Sequence, residues 1–306
     1  MTVQLTSLDT PTTASPAGVE RMTDAYIGID LTILSAASSA DYSSLGMDLP
    51  VEFASFPKLV SCASAACSGG LDLILLAKEF QMRCDRSGGS MDAVRTMARL
   101  TDTGAAGFSA EVPTEAPKLA EAIGLLSQQR DGWGSIEISL DHSSDLRALT
   151  SFSTAAHDAG IHVSGRMSAD DVLQMNLTEL TALVDAVRLQ TEDPHVAREC
   201  RFALRSAAAE QGRSLDVLVD MGVVISGSAK AASERALLIE GIQQRPLFGG
   251  KAKAVGTVYD VADAVENWIG LGGADGIIFM PASLPTDLAS IIRGVLPLLK
   301  ARSEVK

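Results

Sequence analysis

Short apolar runs alternate with longer amphipathic segments along almost the whole chain, and few folds accept that order. Ala25–Leu34 (AYIGIDLTIL), Leu71–Ala77 (LDLILLA), Ala105–Ala110, Trp133–Leu140 (WGSIEISL), Ile161–Ser164, Leu215–Ser226 (LDVLVDMGVVIS) and Asp275–Met280 (DGIIFM) read as strands. Helical spacing fills the stretches between them, at 56–67, 90–101, 115–129, 145–158, 229–243, 258–271 and 284–299. Residues 169–211 read as mostly helix, broken near Asp193-Pro194. Strands and helices in alternation imply a parallel sheet with helical crossovers. Aromatic residues make up only 4% of the chain, so the core is expected to be aliphatic, as suits a sheet buried on both faces. Neither a repeat nor a linker interrupts 25–300, which predicts one domain over 25–306 behind a flexible Thr-, Ser- and Pro-rich arm, 1–24.

Two arrangements of such a sheet compete. A doubly wound sheet with a nucleotide site would carry a glycine-rich turn after its first strand. Here that turn is Ser35-Ala36-Ala37-Ser38-Ser39, and the P-loop pattern is absent as well. A closed (β/α)8-type barrel needs neither fingerprint and suits the length, although the strands above number seven.

Charge narrows the range of partners. With 25 Lys+Arg against 38 Asp+Glu, the net charge is −13, which argues against nucleic acid and against anionic membrane surfaces. The N-terminus lacks the basic start and apolar run of a signal peptide, and no run of about 18 apolar residues occurs, so a cytoplasmic protein is expected. Cys62, Cys67, Cys84 and Cys200 form no C-x-x-C pair and read as core thiols. His157, His162 and His195 lack the spacing of metal ligands and read as structural.

The last quarter carries a family pattern. Ala254-Val255-Gly256-Thr257, the helix 261–271, Ala274-Asp275-Gly276, Phe279-Met280-Pro281 and Leu284-Pro285 stand in the order and spacing of the C-terminal signature of the bacterial-luciferase-like flavin monooxygenases. Ser68–Lys78, Ser90–Leu100 with Gly107-Phe108, and Glu115–Ala120 with Arg130–Trp133 resemble further collinear stretches of that family. The resemblance covers most of 50–140 and 215–300. It implies a TIM-barrel fold, reduced FMN as co-substrate (F420 as a variant), a separate flavin reductase and a dimer, homomeric or with a homologous subunit. It further implies oxygen insertion into an organic substrate. The apolar strand ends point to a hydrophobic one.

The departures from the family pattern are specific. Lys78 stands where the family has Asp, Gly134 where it has Asn, and Pro117 and Lys118 where it has Tyr and Asn. Only Leu140–Gly160 separates two strands that the family joins by a long stretch holding the flavin phosphate, so one strand and its flanking segment are expected to be missing.

In a barrel the chemistry gathers at the C-terminal ends of the strands. Lys78, Ser109, Glu111, Lys118, Ser139, Ser164 and Arg166 are therefore the candidates for holding a flavin, and His142 is the candidate proton carrier. Each has a plainer reading. Lys78 could be a surface lysine paired with Glu79 or Glu111. Asp141-His142 could be a solvated loop capped by Ser143 or Ser144. Ser164-Gly165-Arg166 could be a phosphate-binding turn or an ordinary strand-to-helix connection. For the whole chain the rival to an enzyme is a degenerate barrel acting as a partner subunit or a flavin carrier.

Overall fold

Within 169–211, the stretch expected to be mostly helix, Ala186–Gln190 forms a strand. Its alternation is complete, with Val187 and Leu189 on one face and Ala186, Arg188 and Gln190 on the other. An arginine in the middle hides such a segment from a search for apolar runs. The computed structural model describes residues 25–35, 55–83, 90–101, 107–127 and 134–304. The arm 1–24, the turn residues after Ser35, Cys84 and Arg130–Trp133 lie outside them.

With that strand the expected seven become eight, and the barrel closes without a missing member. The strands are β1 (Tyr26–Asp30), β2 (Leu73–Leu76), β3 (Phe108–Glu111), β4 (Gly134–Ser139), β5 (His162–Ser168), β6 (Ala186–Gln190), β7 (Asp216–Ile225) and β8 (Gly276–Pro281). All run parallel, each beside the next, and β8 returns to β1 with Tyr26 opposite Gly276. A further short strand, Ala252–Gly256, pairs with Met221–Ile225 of β7, beyond the stretch where β6 pairs.

Helices α1 (Phe56–Ser68), α2 (Ala93–Thr101), α3 (Ala116–Leu126), α4 (Thr150–Asp158), α5 (Ala169–Gln174) and α6 (Leu177–Leu183) serve the first half. Helices α7 (Pro194–Glu210), α8 (Ala229–Gln243) and α9 (Val258–Gly270) serve the second, ahead of a C-terminal helical stretch from Thr286 to Ser303. Side chains such as Ile29, Ile74, Phe108, Ile138, Val187 and Ile277 are buried between barrel and helices. Each such burial contributes about 1.5–3 kcal/mol. Local signals set the helix starts: Thr257 and Asp260 form a reciprocal capping box on α9, and Asp193 accepts from the His195 N–H at the start of α7. No helix of the described residues is long and apolar enough to cross a membrane.

The segment between α8 and the short strand folds over the upper end of the barrel. Phe248, at φ 56°, lays its ring against Gly222 of β7, where a Cβ would stand 2.0 Å from the ring. Glycine is required here by that approach. Replacing Gly222 with Ala is expected to cost about 1–3 kcal/mol through overpacking. In a Phe248→Ala background the same replacement should cost much less, as urea denaturation of the four proteins would show. Equal costs in both backgrounds would count against the ring contact as the reason for the glycine.

Candidate functional site

Strand side chains alternate, so one parity of each strand faces the bore. Contacts across the barrel identify it: Arg188 of β6 reaches residues of β1, β4 and β7. At the floor the inward residues are apolar, with Tyr26, Leu73, Leu75, Leu218 and Ile278 packed together. Above that plug they turn polar, and a connected ionic network fills the upper bore.

Arg188 is its centre, almost fully buried. Its Nη2 donates to Asp30 Oδ2 at 2.7 Å, its Nη1 to Glu137 Oε1 at 3.0 Å and its Nε to Asp220 Oδ1. Arg166 of β5 donates through Nη1 to Glu111 Oε2 at 2.8 Å, and its Nη2 lies 3.8 Å from Asp220. Ser139 donates to Glu111 Oε1, and Lys78 Nζ lies 3.3 Å from Ser139 Oγ and 3.6 Å from Glu111. Lys251, half-buried below Phe248's loop, feels Asp220 and Asp30 as well as both arginines.

Burial and neighbours set the charges. Burial raises the Glu111 carboxyl, but Arg166, the Ser139 hydroxyl and Lys78 outweigh it and hold the group below its ordinary value. Asp30 behaves alike: burial raises it, while Arg188 and the Thr32 donors bring it below the usual range. For Glu137 burial wins over the attraction of Arg188 and Arg166, with Glu111 and Asp220 adding repulsion, and its carboxyl is pushed up to about 7. Burial, opposed by Asp220, lowers the Lys251 ammonium. Four cations thus meet four carboxylates, and with Glu137 protonated one positive charge is in excess.

The structure brings six of the seven flavin-site candidates to this bore. Ser109, Glu111, Ser139, Ser164 and Arg166 face inward, and Lys78 stands at the mouth. Among the described residues, two buried donors here lack partners, Ser109 Oγ and Arg166 Nε. Lys118 lies outside, on α3, paired with Glu121 at 3.5 Å. It shares with Lys78 and Glu111 a cleft of about 170 Å³ at the mouth's edge. His142 is not brought together with the others. It sits on the loop after β4, half exposed, with Nδ1 2.9 Å from Asp171 Oδ1, and Asp141 ties that loop through Ser143 and Ser144.

One reading needs correction. Ser164-Gly165-Arg166 is neither turn nor phosphate loop: β5 runs on to Ser168, and the three residues pair with β4 and β6 in the ladder. Inward residues at several strand ends are hydroxylic or charged, Ser109 and Glu111 on β3, Ser139 on β4 and Arg166 on β5. Asp30, Glu137, Arg188, Asp220 and Lys251 were not anticipated. For those on strands the signal was a polar side chain at every second place in an apolar strand (Ser135, Glu137, Ser139), which demands a partner inside a barrel.

Comparison with known proteins finds no matching family model and no matching curated protein. Solved structures do match. EDTA monooxygenase (EmoA) from Chelativorans sp. BNC1 aligns over 91% of this chain and 94% of its own, with TM-score 0.69 and 12% identity. DmoA from Hyphomicrobium sulfonivorans aligns over 92% and 88%, with TM-score 0.67 and 12% identity. Riboflavin lyase (RcaE), solved with modified FMN and riboflavin, aligns over 91% and 92%, with TM-score 0.65 and 12% identity.

Unfolded glutamates titrate near 4.5, so between there and about pH 7 the folded chain keeps a proton on Glu137 that the unfolded chain has lost. Stability from this residue is complete below pH 4.5 and falls as pH rises through 7. Glu137→Gln removes the titration and keeps an acceptor for Arg188. Its stability relative to the parent is expected to climb by up to about 3 kcal/mol from pH 4.5 to 8, measured by denaturant titration. Parallel pH profiles would refute a protonated Glu137.

At 12% identity these likenesses are likenesses of fold, and the fold is the barrel that the chain's resemblance to the bacterial-luciferase-like flavin monooxygenases implies.

Proposed function

We propose that the protein is a flavin-dependent oxidoreductase of the luciferase-like class, a monooxygenase that takes reduced FMN from a separate reductase and oxidises a polar or anionic organic substrate. The observation that carries this reading is the upper bore, where two buried donors without partners, Ser109 Oγ and Arg166 Nε, lie beside the cationic side chains of Arg166, Arg188 and Lys78. The fold likeness to EDTA monooxygenase and to an FMN-binding lyase supports the class.

The residues fit such a group. A reduced flavin would carry negative charge at the N1 edge of its ring, where Ser109 Oγ and Arg166 Nε would supply donors in the bore. The cleft between Lys78 and Lys118, about 170 Å³, is smaller than the ~300–1,000 Å³ of sites that enclose a whole drug-sized ligand, so it suits the phosphate end. When bound, reduced flavin supplies the electrons that activate oxygen. The chain's own part is to orient and to exclude water: Glu111 fixes Lys78, Ser139 and Arg166, and Phe248 covers the β7 side of the mouth.

One observation favours the rival reading of a partner subunit without turnover. Lys78 and Arg166 already face Glu111, so a ligand must compete with an internal carboxylate. Fluorescence titration separates the two. Lys78→Ala and Lys118→Ala are each expected to weaken FMN binding about tenfold while changing riboflavin binding little, because only FMN carries the phosphate. F420 binding in place of FMN would move the cofactor within the class. No binding of oxidised or reduced flavin would favour the partner subunit.

A dimer, with itself or a homologous subunit, belongs to the same proposal. Helix α1 buries Leu59, Cys62, Ala63 and Ala66 against the barrel and turns Ser61, Ser64 and Ala65 outward. Small residues there let a second helix approach closely. Light scattering at micromolar concentration is expected to give twice the 32.0 kDa chain mass. A monomer mass would reject it.

A further inference from the structure

A second cleft lies away from the mouth. It holds about 540 Å³ on the outer flank, between α7 and the end of α9. Asp275, which its arginines grip, directly precedes β8, so the cleft is at the end of the barrel where strands begin. One face of α7 forms its wall with Arg198, Arg201, Phe202 and Arg205. These positions are three and four residues apart, so one guanidinium stands a turn before the Phe202 ring and another a turn after it.

Two features exceed what the fold needs. Arg201 Nη2 and Arg205 Nη1 bind Asp275 Oδ1 at 2.6 and 2.9 Å, and Asp275 Oδ2 accepts the Val217 N–H. With the Gly272 carbonyl, which accepts from Arg201 Nη1 at 3.5 Å, that accounts for both terminal nitrogens of Arg201 and for one arm of Arg205. It leaves Arg198 without an ion pair among the described residues, and Arg201 Nε is buried without a hydrogen-bond partner. Phe202 is 75% exposed, a large apolar cost for a position that solvent could hold with any polar residue. Three guanidiniums against one carboxylate leave two positive charges in excess, more than the roughly half negative charge at the α9 C-terminus can cancel.

A ring face with a fork of N–H donors on each side matches one ligand chemistry. Planar heteroaromatic rings stack on exposed aromatic side chains, and phosphate takes bidentate hydrogen bonds from arginine. The volume falls in the range of small-ligand sites. We propose that this cleft binds a mononucleotide, a phosphate monoester carrying a planar base, with Phe202 under the base and Arg198 and Arg205 on the phosphate. The site is independent of the flavin reading, since no residue is shared with the mouth.

Isothermal titration of the full chain with AMP tests it. One saturable site is expected, with adenosine and inorganic phosphate each binding at least about tenfold more weakly, because each offers half of the contacts. Phe202→Ala and Arg198→Glu should each weaken AMP about tenfold. Both residues point outward, so melting temperature should stay at the parent value. Lys78→Ala should leave AMP binding unchanged, which separates this cleft from a phosphate held at the mouth. The proposal is overturned by absence of saturable AMP binding, by AMP affinity that stays at the parent value in Phe202→Ala and Arg198→Glu, or by loss of AMP binding in Lys78→Ala alone.

Discussion

Arg188 is the interaction on which the bore depends. Its guanidinium spends all three nitrogens on carboxylates from three other strands, Asp30 in β1, Glu137 in β4 and Asp220 in β7. The Asp30 partner is 158 residues away, so these bonds exist only when the barrel has closed. Stripping water from so many charges is expensive, and a buried ion cluster is weak evidence of net stability. Its value is in selection. Removing one partner strands the others without water, typically at about 3–5 kcal/mol, so any strand register that misplaces one of the four is penalised heavily. An apolar filling of the same volume would tolerate a slipped barrel.

The same cluster divides the bore into two ends of different character. Below it, Tyr26, Leu73, Leu218 and Ile278 make a dry plug, and Gly28 is bare because a side chain there would strike Ile278 at 2.6 Å. Above it, charge continues through Asp220 and Arg166 to Glu111, and from Glu111 to Ser139 and Lys78 at the rim. The network is therefore a path of electrostatic influence from core to mouth. A proton on Glu137 changes the field felt by everything bound above, although Glu137 itself never reaches solvent.

Much of the architecture was legible because burial on both faces leaves a plain mark. Leu71–Ala77 and Asp275–Met280 are near-continuous apolar runs, and both are buried strands. β6 was illegible for the converse reason. Its inward residues answer to charges on other strands rather than to hydrocarbon, so Ala-Val-Arg-Leu-Gln lacks the run that announces a strand. The end of β5 was lost the same way, at Ser164-Gly165-Arg166. In the site, Lys78, Glu111, Ser139 and Arg166 were found because strand ends in a barrel are few. Asp30, Glu137, Arg188 and Asp220 lie deeper, and only cross-barrel pairing, which spans most of the chain, explains their charge.

The net charge of −13 and the two cationic sites are consistent once range is considered. Repulsion from a negative surface acts on a polyanion over many contacts at once. A small anion samples a few ångströms, well inside the screening length of about 8–10 Å at ordinary salt. At that range Lys78 with Lys118, or Arg198 with Arg205, sets the local sign, whatever the sum over the molecule. A negative overall field is therefore compatible with a small anion held at either of two locally cationic clefts. At the mouth Lys78 and Arg166 are held by the buried Glu111, so the direction of their charge is set by the barrel itself.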